Sequence, residues 1–476
     1  MHGELSRRYF VYQYKNQLPI CITSGGRGNR GRGGGRHNNQ GGRGHGGGPS
    51  ALMNPCSSYT QNGTCQHGNN CKFAHIVTLH KTVEASSVVQ QQNNNNNYNN
   101  RNNYNNNNNN PQKAPVSAVS IWETNGTIQI FTGSHDGYWR LFNANQQFQR
   151  TAETPMRGKV ECIEIVQNSY LYCGFEAPSS KMPDVPCGQV NAWNLQNPSP
   201  QAIEFFMDPT HLPYAHNQAV SALTVGEGSN APVVTGSKDG TIRVWTLSAT
   251  DGKFTLVRTL PGHLREVTAL VLIPGGNLLW SGSIDGSIRI WDLSQAVPEQ
   301  ACQYCITKDT QGNLPVSPGG NNPNAAGVGH TNAVTSMVLF PSAAGSFVLS
   351  ASLDGSIKAW DTNTAQCVAS ENHTEGVVTM TLAHATPSPQ QQPPPQDGQG
   401  PPVLLIGLES GNIACRNLVQ TQKTPAFALL FVLAQKYSAA HRGAVKSIAA
   451  GPSATFYSGG ADGNLMVWQF TGDLNL

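Results

Sequence analysis

Three cysteines and one histidine within twenty residues are the part of this 476-residue chain best equipped for chemistry. Residues 56–75 read CSSYTQNGTCQHGNNCKFAH, which places Cys56, Cys65, Cys71 and His75 in a C-x8-C-x5-C-x3-H spacing. Zn²⁺ favours four soft or borderline donors in a tetrahedron. Three thiolates and one imidazole complete that shell with no open position, so the segment predicts one structural Zn²⁺ and not a catalytic one. The segment has too little apolar content for a core of its own, so the metal must supply most of its folding energy.

The other candidate constellations are poor. No nucleophile elbow, Walker loop or HExxH stands in the chain. With 50 glycines, chance GxG strings are unavoidable, and they lie in tails or turns. Cys302 and Cys305 form a lone C-x2-C with no second pair nearby, which reads as coincidence. An enzyme acting on a small-molecule substrate is therefore not expected. Eleven cysteines, eight of them scattered, favour a metal site in a reducing compartment over a disulfide framework. There is no run of eighteen apolar residues and no signal-peptide pattern, so an intracellular protein, nuclear or cytoplasmic, without a membrane span is expected.

Charge is distributed unevenly. Residues 1–113 carry a net +10 and the remainder −7, which points to a polyanionic partner engaged by the N-terminal part. Residues 24–48 alternate Gly and Arg with no apolar side chain, so nothing offsets the entropy of ordering them. Arg27, Arg30, Arg32, Arg36 and Arg43 supply all the charge there. Guanidinium groups pair with phosphate and stack on bases, so these five are candidate RNA contacts. Residues 90–110 are almost entirely Asn and Gln, a compositional spacer.

A second pattern recurs downstream: GSHDGYWRLFN (133–143), GQVNAWN (188–194), GSKDGTIRVWT (236–246), GSIDGSIRIWD (282–292), ASLDGSIKAWD (351–361), GLESGNIACRN (407–417) and GGADGNLMVWQ (459–469). Each unit reads as a hairpin, with a strand, an Asp-Gly turn and then alternating apolar residues ending at a Trp. His216, His263, His330, His373 and His441 each precede an apolar strand upstream of a unit. Together these are the WD-repeat signature, cleanest at Gly262-His263 and Trp291-Asp292. Seven units imply an all-β, seven-bladed β-propeller over residues 114–476, because no single blade buries both its faces. The resemblance makes the Trp, His and Asp residues blade-internal hydrogen-bond partners. Units one, two and six are degenerate: Phe142 and Arg416 replace Trp, and Cys187 and Ser410 occupy the position of the turn Asp.

Closing the ring needs a strand from the other end of the array. Only QFTGDLNL follows Trp468, whereas IVTLHKTV (76–83) is similar to the outer strand FTLVRTL (254–260). Residues 76–83 are therefore expected to complete the seventh blade, with the Asn tract an oversized loop into the first. The expected order is a disordered Arg/Gly-rich tail (1–50), the zinc finger (51–76), the closing strand (77–86), an Asn/Gln-rich linker (87–113) and the propeller (114–476). Inserts 178–186 and 308–328 should leave by the same face as the Asn tract, and insert 386–402 by the other.

The finger segment resembles CCCH zinc fingers of the tristetraprolin type, with Tyr59, Gly63, Gly68 and Phe73 at their usual aromatic and glycine positions. The resemblance implies single-stranded RNA binding, with Tyr59 and Phe73 stacking on bases and Lys72 touching phosphate. A CCCH finger ahead of WD repeats also resembles the CCCH-finger/WD-repeat proteins described chiefly in plants. The expected function is an RNA-associated adaptor whose propeller docks protein partners. The competing expectation is a protein-interaction scaffold, such as a ubiquitin-ligase substrate receptor, in which the finger is purely structural.

Overall fold

The computed structural model describes residues 55–67, 71, 75–88, 112–166, 170–179, 181–197, 201–228, 231–275, 277–308, 329–342, 345–384, 402–420, 425–433 and 440–471. The strands among them form seven four-stranded antiparallel sheets, each a blade of a β-propeller. The inner strands of blades one to seven carry Val116, Val160, Val220, Val267, Val334, Val377 and Val445 at or next to their first residue, all 0% exposed. Alternation puts each of these valines on the face that meets the preceding blade.

The glycine that opens most of the sequence units has its reason in this contact. A Cβ at Gly133, Gly236, Gly282 or Gly459 would lie 2.4–2.6 Å from Cγ1 of Val160, Val267, Val334 or Val116 respectively, each in the next blade around the ring. In these four blades only a residue without a side chain lets the second strand approach that closely. The pair Gly459–Val116 joins blade seven to blade one, so the ring closes by the packing that builds it. The blade-to-blade cores are otherwise aliphatic and aromatic, with Trp245, Trp280, Trp291, Trp360 and Trp468 fully buried. The inner strands surround a central cavity of about 700 Å³. At its mouth Glu161 of blade two holds His135 of blade one at 3.1 Å and Lys238 of blade three at 2.7 Å. Burial pushes the Glu161 carboxyl up, but these two partners outweigh it and bring it down to about 2.

Blade seven has its outer strand from far upstream. Strand β1 (Val77–Glu84) pairs antiparallel with Asn464–Phe470, from Val77 opposite Phe470 to Glu84 opposite Asn464. Beyond it, Val88 and Lys113 form an antiparallel bridge, so the two ends of the Asn-rich segment are held side by side. Residues 89–111 between them, like the Arg/Gly-rich stretch of residues 1–50, lie outside the described residues.

The sequence pattern misplaces one feature. Cys187 does not occupy a turn: it sits inside the strand Met182–Asn194, opposite Ala177. The reversal comes where Ser179 faces Met182, because insert 178–186 lengthens both strands of the hairpin instead of forming a loop. Blade two is weak at its outer edge as well, where only Ile203–Glu204 pair as the fourth strand.

Candidate metal centre

The finger is built on one short helix, α1 (Ser57–Asn62). Cys56 is its N-cap residue, with extended backbone, and its side chain caps nothing. That leaves the thiol free for another role. Gly63 ends the helix at φ 68°, in the left-handed region, and returns its N–H to the Tyr59 carbonyl at 2.8 Å. A glycine is the natural residue for that terminus. The reversal turns the chain back, and Cys65 Sγ comes within 4.8 Å of Cys56 Sγ.

Sγ of Cys56, Cys65 and Cys71 and a ring nitrogen of His75 all lie within 4.8 Å of one another. Sulfurs on ~2.3 Å bonds to a tetrahedral zinc sit about 3.8 Å apart, so the cluster needs little contraction to enclose one ion. Two further observations fit. Nε2 of His75 is buried with no hydrogen-bond partner, an atom that a metal would satisfy. The Cys65 thiol is lowered to about 6, chiefly by the backbone N–H of His67, so it approaches the thiolate form that metal binding requires. The four residues form a candidate metal site consistent with a structural zinc. Such a zinc would contribute roughly 10–16 kcal/mol of apparent binding energy at neutral pH, which is also folding energy for this segment. Among the described residues no other group of His, Cys, Asp and Glu gathers this way, and Cys302 and Cys305 simply belong to the outer strand of blade four.

The expected RNA contacts divide. The Tyr59 ring stacks on the His75 imidazole, with centroids 4.2 Å apart and planes 8° from parallel. One face of the phenol therefore braces a metal ligand, and only the other could meet a base. Lys72, Phe73, Arg27, Arg30, Arg32, Arg36 and Arg43 lie outside the described residues. Spacing alone had no way to show that Cys56, Cys65 and Cys71 line a cavity of about 400 Å³ together with Ser57, Asn62, Thr64, Gln66 and His67. Its only sequence signal is the run of polar residues between the ligating cysteines.

The propeller contains sets that mimic catalytic chemistry. In blade four Ser281 Oγ lies 2.7 Å from His263 Nε2, and His263 Nδ1 lies 3.3 Å from Asp285. Trp291 Nε1 donates to the same Ser281 Oγ at 2.8 Å. Since indole only donates and an ionised carboxylate only accepts, the chain must run from Trp291 through Ser281 and His263 to Asp285. Ser281 is 0% exposed and its lone pair is engaged by the indole, so no substrate can reach it as a nucleophile. The same chain recurs as Trp245–Thr235–His216–Asp239, Trp360–Ser350–His330–Asp354 and Trp468–Ser458–His441–Asp462. His373 departs from it, since its Nε2 is buried without a partner and blade six has Ile406 and Arg416 in place of the hydroxyl and the Trp.

Comparison with known families agrees with this geometry. Residues 53–77 match the family model "Zinc finger C-x8-C-x5-C-x3-H type (and similar)". Residues 207–246, 254–292, 323–361 and 433–469 match "WD domain, G-beta repeat". These four matches cover the four blades that hold the complete hydrogen-bond chain. The protein thus joins a CCCH zinc finger to a seven-bladed propeller of WD40 repeats. It is similar to zinc finger CCCH domain-containing protein 17 of Oryza sativa subsp. japonica, at 27% identity over 347 residues, covering 62% of this chain and 75% of the relative. CCCH fingers and WD40 propellers are typically binding or scaffold domains. Among the described residues no helix is long and apolar enough to cross a membrane.

Proposed function

We propose that this protein is a non-enzymatic adaptor in which the finger and the Arg/Gly-rich segment contact single-stranded RNA while the propeller docks protein partners. The observation that carries the reading is the cluster of Cys56, Cys65, Cys71 and His75, whose ligating atoms lie within 4.8 Å of one another, with Ser57, Asn62, Thr64, Gln66 and His67 around the same cavity of about 400 Å³. Hydroxyl, amide and imidazole groups around such a space can meet the donor and acceptor edges of an unstacked base. The free face of Tyr59 offers a stacking surface, Phe73 a second and Lys72 a charge for phosphate. Arg27, Arg30, Arg32, Arg36 and Arg43 add sequence-tolerant affinity. Free thiols and a thiolate metal site suit a reducing compartment, the nucleus or the cytoplasm.

The test is binding of labelled single-stranded RNA to the zinc-loaded full chain across a salt series. Affinity should fall steeply with salt, and replacing Arg27, Arg30 and Arg32 together should flatten the slope of log K against log salt by about 2. Cys71→Ser should weaken binding further. No measurable affinity at low salt would sink the reading.

A second reading has its own observation. Tyr59 packs on His75, and Cys56 and Thr60 are 5% and 1% exposed. A finger buried to that degree also suits a purely structural brace on a protein-interaction scaffold, such as a ubiquitin-ligase substrate receptor.

A further inference from the structure

We infer that metal loading of the finger controls whether the propeller ring is closed, the finger serving as the latch on strand β1. The inference rests on the zinc site and the strand pairing, and is independent of RNA binding.

The ring closes without a covalent bond. The outer strand of blade seven is β1, and the other three strands come from Val445–Ala450, Thr455–Gly460 and Asn464–Phe470. By itself β1 is a weak anchor. Of its eight residues only Val77 is buried. Mid-strand, His80 meets Phe148 edge-on, Lys81 Nζ donates to the Gln147 carbonyl, and Leu79 and Val83 are partly buried, and its two ends add to that hold.

At the C-terminal end, the buried guanidinium of Arg140 donates to the Ala85 carbonyl at 3.0 Å and to Ser87 Oγ at 3.2 Å, with Asp136 beneath it at 2.7 Å. Arg140 belongs to blade one, so this bond spans the seam. At the N-terminal end the anchor is the finger. Ile76 is 2% exposed among Phe456, Trp468 and Phe470, and its carbonyl accepts from Thr471 N–H at 2.9 Å. Ile76 directly follows His75, the last metal ligand. On the finger side, Cys56 and Thr60 are buried as well.

A six-residue helix and a core-poor loop do not hold their shape without the ion. When the metal leaves, α1 and His75 lose their common tether, and Ile76 loses the support of the described structure that precedes it. The end of β1 at Val77 then frays from Asn464–Phe470, leaving a row of unpaired backbone groups along that edge.

The experiment is amide hydrogen exchange on the full-length wild-type protein, zinc-loaded, then treated with a chelator, then reloaded with zinc, all without RNA. Exchange in 77–84 and 464–470 is expected to rise about tenfold or more on chelation, ahead of the blade-four segment 267–292, and to recover on reloading. A rise confined to 56–75, or one that proceeds in step through every blade, would overturn the inference. Cys71→Ser should reproduce the chelated pattern, and if that variant does not fold, the chelation series on wild type decides alone. His75→Cys keeps four ligands and should keep the protection, and its loss there, with zinc still bound stoichiometrically, would also overturn the inference. Absence of RNA binding elsewhere leaves this result untouched.

Discussion

Thr132 and Thr235 occupy equivalent places in blades one and three, and both are 0% exposed. Thr235 Oγ1 receives the Trp245 indole N–H at 2.9 Å and meets His216 Nε2 at 2.7 Å. Thr132 Oγ1 has no partner among the described residues, because Phe142 stands where the Trp would be and no described His reaches it. One substitution in two places separates bond from bulk. Thr235→Val should cost about 2–4 kcal/mol in urea unfolding, since it strands both an indole N–H and an imidazole nitrogen. Thr132→Val should change stability by less than about 1 kcal/mol, or raise it, since the lost hydroxyl was already unsatisfied. Equal losses at the two sites would show that the hydrogen-bond chain contributes little. Residue types disclosed the chain in blades three, four, five and seven, where every member is present. They did not disclose what replaces it. Arg140 takes up Asp136 in blade one, and Arg416 pairs with Glu371 of the neighbouring blade in blade six. Asp136 lies only four residues before Arg140, but Glu371 reaches Arg416 from another blade, which spacing does not encode.

The blades themselves depend on how closely their second strands can approach the next blade. Gly282 leaves no room for a side chain against Val334. Gly282→Val should destabilise by about 1–3 kcal/mol through overpacking, read as a lower denaturant midpoint with unchanged slope. Blade five already has Ala351 at this position, in one buried cluster with Val377. A methyl is thus accommodated in one blade, and Gly282→Ala should cost less than the valine. An unchanged midpoint for the valine variant would contradict the close approach. These elements were legible because each unit repeats the same turn chemistry and alternation. The lengthened hairpin of blade two was not, because an insert that continues both strands carries the same alternation as the strands it extends.

Acid should loosen the whole propeller. Burial holds the imidazoles of His216 and His373 down to about 4, with a nearby arginine adding to the effect in each, and lowers those of His263 and His330. The folded protein therefore keeps these rings neutral, while the unfolded chain protonates them near pH 6.5. Stability is fully present above that value and falls as pH drops towards 4, by about 1.4 kcal/mol per pH unit for each excess proton the unfolded chain binds. Asp239, Asp285, Asp354 and Asp462 act in the same direction lower down. Burial alone would raise their carboxyls, but hydrogen bonds led by the partner His hold them below the ordinary range, a contribution lost only below about pH 4. The check is the urea midpoint between pH 7 and 4.5 for wild type and His373→Gln. His373 bonds to no carboxylate, so the variant should lose one proton's share of the fall, and a superimposable profile would show that His373 is not held neutral.

By itself the sequence determined the chemistry that lies within short stretches. The ligand set was readable because four donors within twenty residues satisfy a tetrahedral ion through local chain geometry alone. Seven blades were readable because the same hairpin recurs with its turn and its Trp. The tertiary structure alone decided what depends on distant meetings. It fixed the residue register of β1 against Asn464–Phe470, a pairing the sequence had suggested, turned Tyr59 onto His75 and brought Arg140 to the carbonyl of Ala85 across the seam. Pairing energy depends on which surfaces the completed ring leaves free, and that is a property of the closed array and of no single segment.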